Sequence, residues 1–278
     1  MNPLPAPGVV SALSPGIRRL IAPNPSMMTG PGTNTYLVGD DEVAVIDPGP
    51  SIDAHLDAIE EAAGGRIRHI LVTHTHPDHS PGAAPLKKRT GAALYGRPAP
   101  EGRHQDQTFA PDRILDDGDA LETATYTLRA VHTPGHASNH LCYLHDASRR
   151  LFTGDHIING STVVIDPPDG NMGAYLRSLE RLLDLDLDAI LPGHGDVIAE
   201  PHDAVRRLIE HRRGREAKVI AALQAHPDAT SRELVPAVYA DVDPKLFDLA
   251  EHSLLAHLLL LEEECQAEMQ RGRWRLTD

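Results

Sequence analysis

The segment RHILVTH (68–74) is a short, largely apolar strand signal, and it runs directly into THTHPDHSPG (73–82). That second stretch sets His74, His76, Asp78 and His79 within six positions. Few folds accept such an arrangement. A buried strand must end at a polar edge, and every ring nitrogen of three crowded imidazoles must find a partner, because an unmatched buried polar group is costly. A metal ion meets this demand, since alternate residues of an extended segment share a face and can converge on one centre. The adjacent Asp-His pair turns toward another.

Further along the chain, single polar residues recur where strand-like runs end in glycine turns. HTPGH carries His136, FTGD carries Asp155 and LPGHG carries His194. Glycine lets the backbone bend sharply there and presents the side chain at a sheet edge. A lone His-x-His at a strand end is commonly incidental, but four separate segments ending alike are not. Five imidazoles and two carboxylates suffice for two divalent ions with open positions. Nitrogen and oxygen ligands without thiolate suit Zn²⁺ in a catalytic site better than in a structural one. The two cysteines, Cys142 and Cys265, argue against a disulfide framework.

Around these turns the first two hundred residues alternate strand and helix signals, as an α/β protein does. TYLVG (35–39) and EVAVID (42–47) read as a hairpin, and residues 51–65 as a helix capped by Ser51. TLRAVHT (127–133), HLCYLH (140–145), RLFTGD (150–155) and DAILPGHG (188–195) read as strands, with a helix over 172–185. The remainder is different: a long helix over 202–224, a second helix over 231–242, and a third over 245–265 begun by Asp243 and Pro244. A tail with a turn at Gly272 follows, so the order is that of a winged helix. The expected division is a catalytic domain over 1–200 and a winged-helix-like domain over 201–278.

The net charge of −14 opposes long-range attraction to polyanions. No window approaches 18 uninterrupted apolar residues, and the amino-terminal MNPLPAPGVV has no basic region followed by an apolar one. The expectation is a cytoplasmic protein without a membrane partner.

These motifs resemble the metallo-β-lactamase-fold hydrolases, whose pattern matches in order across residues 30–200: Asp47, His74-x-His76-x-Asp78-His79, His136, Asp155 and His194. The resemblance implies an αββα sandwich with a binuclear site at one edge. It implies that His74, His76 and His136 hold one metal and that Asp78, His79 and His194 hold the other. Asp155 would bridge them, and Asp47 would orient a ligand. Two Zn²⁺ ions are expected, with iron or manganese as alternatives. The commonest true metallo-β-lactamases carry cysteine where this chain has Asp155. GPGTNTYLVG, STVVIDPPDGNMGAYLRSLERL and AEHSLLAHLLLLEEE are instead similar to the beta-lactamase-like branch with a carboxyl-terminal winged helix. Some animal members of that branch are single-strand endoribonucleases. Glyoxalase II shares the metal motif, but no segment here matches its glutathione-binding part.

The expected chemistry is hydrolysis by a hydroxide shared between two ions, with Asp78 orienting the nucleophile or managing its proton. His140 reads two ways, as a donor to the substrate's developing negative charge or as a strand-start imidazole bonded to a backbone carbonyl. His132 and His145 read as structural, and GPGTNT and NGST (159–162) as turns that border a substrate. Arg206, Arg207, Arg212, Arg213, Arg215 and Lys218 read as a solvated helix face, the alternative being an anion-binding rim. Residues 201–278 hold 11 basic and 14 acidic side chains, with Glu262, Glu263 and Glu264 ending the third helix. Duplex DNA is therefore not an expected partner. The leading expectation is hydrolysis of a small ester or thioester. The alternatives are single-strand RNA cleavage and, in another class, a nucleic-acid-binding module with a structural metal.

Overall fold

The computed structural model describes residues 6–102 and 104–277. Residues 1–5, part of the stretch read above for an export signal, lie outside it, as do 103 and 278. Two compact units are present. The first takes the chain up to Thr133 together with Asn139–Thr162 and Asp186–Pro201; the second takes Pro134–Ser138, Val163–Leu185 and the residues from His202 onward.

The first unit is built on two mixed sheets. Seven strands form one sheet in sequence order: β1 (Ser11–Ser14), β2 (Ile17–Ile21), β3 (Asn34–Val38), β4 (Val43–Ile46), β5 (Ile67–Leu71), β6 (Ala93–Gly96) and β7 (Arg113–Ile114). The pairs from β1 to β4 are antiparallel and those from β4 to β7 are parallel. Parallel neighbours need a crossover, and α1 (Asp53–Ala63) and α2 (Ala83–Thr90) supply the first two. The second sheet holds β8 (Ala120–Glu122), β9 (Thr127–His132), β10 (Leu141–His145), β11 (Arg150–Gly154) and β12 (Ala189–Pro192), of which β11 and β12 are parallel.

Alternation along β3 shows how the layers are specified. Tyr36 and Val38 enter the core between the sheets with Ile46, Leu128, Tyr143, Phe152 and Leu191. Leu37 points the other way, into a second core with Leu56, Ile59 and Leu86 of the helices. Both faces of β3 are covered, so all five of its residues are buried.

Helix α1 begins one residue later than Ser51 would place it. Ile52 occupies the cap position with no side-chain hydrogen bond, and Gly64, at φ 59°, ends the helix. Strand β5 stops at Leu71, short of the expected His74. The Asp47 carboxylate accepts the Thr73 N–H at 2.7 Å, so a side chain takes over where the ladder would have continued.

The second unit comprises α3 (Met172–Leu182), α4 (Pro201–Ala225), α5 (Ser231–Val238), α6 (Phe247–Glu263) and the hairpin β13 (Ala267–Gln270)–β14 (Arg273–Leu276). Thr230 and Glu233 form a capping box at the start of α5. Asp243 and Pro244 open a 3-10 turn over Pro244–Leu246 instead of the α-helix itself, with the Asp243 side chain accepting the N–H of Lys245. Leu254, Leu258, Leu261, Leu234, Val235, Val219, Leu223 and Trp274 form this unit's core. Leu255 and Leu259 are only partly buried at its margin.

The reading of α4 as a wholly solvated basic face is corrected at two positions. Arg212 and Arg215 are 3% and 7% exposed. Arg212 donates to the Val163 carbonyl at 2.5 Å, and Arg215 donates to the Val238 carbonyl and to Asp241. Each guanidinium also lies over a tyrosine ring, Tyr175 and Tyr239 respectively. Neither belongs to a solvated face or to an open anion-binding rim.

Candidate metal centre

In each sheet of the first unit a pair of parallel strands ends at polar residues. Asp47 follows β4, the histidine cluster follows β5, Asp155 follows β11, and His194 lies two residues beyond β12. Carboxyl ends of parallel strands are where open α/β sheets gather ligands.

Asp47 organises the turn after β5. Its backbone sits at φ 50°, in the left-handed region, and its side chain is buried. Oδ1 accepts the Thr73 N–H, while Oδ2 accepts the Thr73 hydroxyl at 2.8 Å and His79 Nδ1–H at 2.9 Å. The Thr73 hydroxyl donates to Asp47, so it accepts from His74 Nδ1 at 3.0 Å. One carboxylate therefore sets the tautomers of two histidines, each directing Nε2 away from it.

The Nε2 atoms of His79 and His194 converge on two carboxylate oxygens. His79 Nε2 lies 3.4 Å from Asp78 Oδ2 and 3.3 Å from Asp155 Oδ1, and His194 Nε2 lies 3.2 Å from each. The ligand atoms of all four residues fall within 4.8 Å of one another. Buried His79 Nε2 has no hydrogen-bond partner of normal geometry, which marks a place for something other than a proton donor or acceptor. His194 is set from behind by the Gly32 carbonyl at 3.4 Å, and the Thr33 hydroxyl reaches Asp78 Oδ2 at 3.4 Å.

His74 and His76 are the nucleus of a second ligand set in the first unit, for which the family pattern offers His136 as the third member. His74 Nε2 and His76 Nδ1 are 3.0 Å apart. His136 counts with the second unit, where its Nδ1 donates to the Val164 carbonyl at 2.7 Å. His140 is fully buried, stacks on His74 with ring centroids 5.0 Å apart, and pairs its Nδ1 with the Thr133 hydroxyl rather than a backbone carbonyl.

Electrostatics separates the two sets. Burial would lower His79 and His194, but the Asp78 and Asp155 carboxylates outweigh it, with Asp47 adding to the effect on His79. His194 is pushed up to about 9, and His79 well above the usual range. Burial would raise both carboxyls, yet the same histidines hold Asp78 and Asp155 well below the usual range. Two protonated imidazoles thus balance two ionised carboxylates, and a divalent ion would supply the same two positive charges in place of the ring protons. His74 is pushed down by burial and by His79, His76 and His140, which keeps it a neutral ligand. Ionised carboxylates and neutral imidazole are the donor set a divalent ion takes.

The sequence placed Thr33 in a substrate-bordering turn and assigned Gly193 only a bending role, and it did not single out Thr73. Gly193 seats the cluster, since a Cβ there would stand 2.8 Å from both Asp155 Oδ1 and His79 Cε1. Its glycine in LPGHG was the only available signal.

Comparison with known proteins agrees with this geometry. A profile of the metallo-beta-lactamase superfamily matches residues 28–194, and one of the beta-lactamase associated winged helix domain matches residues 230–274. The chain is 32% identical over 277 residues to the Drosophila melanogaster beta-lactamase-like protein 2 homolog, covering 95% of this chain and 93% of that protein. It is 32% identical over 257 residues to an Aspergillus fumigatus atrochrysone carboxyl ACP thioesterase, covering 86% and 79% of the two. A metallo-beta-lactamase family protein from Thermus thermophilus superimposes with a TM-score of 0.79 at 26% identity, over 96% of this chain and all of that one. The chain belongs to the metallo-β-lactamase superfamily, in the form that carries an associated winged helix domain.

Proposed function

We propose that the protein is a binuclear hydrolase of small ester or thioester substrates. The observation that carries this reading is the pair of ionised carboxylate oxygens set 3.2–3.4 Å from two histidine nitrogens, beside a neutral His74. Asp78, His79 and His194 would hold one ion, His74, His76 and His136 the other, and Asp155 both. Such ions, zinc being the best match to the donor set, lower the pKa of water and polarise a carbonyl oxygen.

The chain's own residues prepare the site. Asp47 and Thr73 fix which nitrogen of His74 and His79 faces inward. His140 lies buried behind His74, which supports holding that ring in place over donating to substrate. Asp78 bonds with Thr33, which ties it to the loop Asn24–Thr33. The tip of that loop exposes Met27 and Met28 at 79% and 51%. An apolar tip on a loop reaching the site supports an acyl or aromatic substrate over a bare phosphodiester. The thioesterase among the relatives supports the same choice. The acidic chain opposes long polyanions, and the acidic end of α6 supports an absence of duplex DNA binding.

Elemental analysis of metal-replete protein should find close to two ions per chain. On one such preparation, kcat/KM for a thioester panel should exceed that for short single-stranded RNAs, and Asp155→Ala should lower it at least about a hundredfold. RNA favoured tenfold or more, with Asp155→Ala abolishing its cleavage, would replace the small-substrate reading by the ribonuclease one. Two bound ions with no hydrolysis of either class would leave a metal-stabilised binding module.

A further inference from the structure

Arg212 lies on α4, between the two segments that match known families, and it is buried. A guanidinium taken out of water is retained only where its donors and its charge are well used. Its Nη2 donates to the Val163 carbonyl at 2.5 Å, and its charge lies over the Tyr175 ring, 5.2 Å from the centroid.

One of those partners, Tyr175, touches the turn that carries His136, and the other, Val163, precedes a residue that does. Val164, next to Val163, supplies the carbonyl that accepts His136 Nδ1–H at 2.7 Å. Tyr175 is seated against Gly135, where an added Cβ would stand 2.4 Å from the Tyr175 Cα. Helix α3 clamps the same turn from one face: Asn171 N donates to the Gly135 carbonyl, and the Ser178 hydroxyl donates to the Pro134 carbonyl. Asn171, Tyr175 and Ser178 follow the i, i+4, i+7 spacing of one helix stripe. His136 is thus held through two supports, the irregular backbone at 163–164 and α3 at Tyr175, and Arg212 binds both.

We infer that Arg212 is a positioning residue for the His136 metal ligand, acting through Val163–Val164 and Tyr175. This rests on the assignment of His136 as a ligand made above. A fork-shaped guanidinium suits the task because it donates in its plane while stacking on a ring, which a lysine ammonium does not do equally. Removing it frees the Val163 carbonyl and loosens the Tyr175 side chain, whose Cα and Cβ lie against Gly135, so the imidazole loses its orientation while its ring nitrogens remain.

Arg215 provides the control. It sits on the same helix, is buried to a similar degree, donates to the Val238 carbonyl and lies over Tyr239, but it serves the end of α5. The experiment is a chelator-competition titration of Co²⁺ into wild type, Arg212→Met, Arg212→Lys and Arg215→Met, read by the cobalt visible spectrum. A nitrogen-15 NMR measurement of the His136 Nδ1–H accompanies it. Arg212→Met should weaken one of the two ions about 10- to 100-fold, the range for loss of a ligand's supporting partner. It should also alter that ion's spectrum and the Nδ1–H signal, and leave the other ion unchanged. Arg212→Lys should fall between it and wild type, and serves if the methionine variant does not fold. Wild-type affinities and spectrum in both Arg212 variants would overturn the inference, as would an equal loss in Arg215→Met, which would indicate general loosening. Wild-type protein holding only one ion, with His136 not bound to it, would overturn the ligand assignment itself and this inference with it.

Discussion

Gly193→Ala tests the candidate centre with a single methyl group. Gly193 has no positive φ, so alanine suits its backbone, and its hydrogen bonds to Gly154 and Asn34 are main-chain ones that alanine retains. The perturbation is therefore steric. The new Cβ would lie 2.8 Å from Asp155 Oδ1, 2.8 Å from His79 Cε1 and 2.9 Å from the Gly154 carbonyl carbon. Carbon in van der Waals contact prefers roughly 3.5–4.0 Å, so ligand atoms must move by about 0.7 Å. Metal sites tolerate about 0.2 Å in ligand distance. Asp155 and His79 cannot both stay in place, and the ion they share should bind about a hundredfold more weakly, equivalent to about 3 kcal/mol. Overpacking should cost about 1–3 kcal/mol of stability, leaving the chain folded. Chelator-competition titration with Zn²⁺ or Co²⁺, alongside urea unfolding, separates the two effects. A folded variant that binds two ions as tightly as wild type would refute the placement of Asp155 and His79 in one ion's shell.

Two further predictions concern the second unit, whose buried Trp274 is the chain's one tryptophan and so reports its unfolding by fluorescence. Gly214→Ala, on the exposed face of α4 with nothing within 4 Å of the new Cβ, should stabilise this unit by about 0.5–1 kcal/mol. A destabilised variant would show that the position is not an ordinary helix interior. His257 is fully buried, and burial, with Arg212, Arg215 and His211 adding to it, pushes its pKa down to about 3. Unfolded, it takes up a proton near 6.5, so its effect on stability is absent above that pH and grows as pH falls toward 3. At pH 5 the folded unit should have lost about 2 kcal/mol relative to pH 7 through this residue. His257→Leu should remove that part of the pH dependence in urea titrations, and an unchanged difference between pH 7 and pH 5 would sink the assignment.

The candidate ligands were legible in the sequence because each is announced locally. His74, His76, Asp78 and His79 crowd one turn, and Asp155 and His194 stand beside glycines that end apolar runs. The winged-helix order was legible for the same reason, since helix periodicity, the Asp243–Pro244 start and the Gly272 turn are short-range signals. Relations between distant residues depended on tertiary structure. The carboxylate of Asp47 ends β5 at Thr73, 26 residues away, and sets the tautomers of His74 through the Thr73 hydroxyl and of His79 directly across 32 residues. Arg212 and Arg213 are adjacent and chemically identical, yet one is buried on Tyr175 and the other exposed beside Glu180. Composition cannot distinguish them, because burial of a charge depends on which carbonyls and rings the fold brings to that side of the helix. The sequence by itself determined which atoms are available to bind a metal; only the tertiary structure decided which nitrogen each histidine turns inward and what holds it there, because those choices rest on hydrogen bonds between segments far apart in the chain.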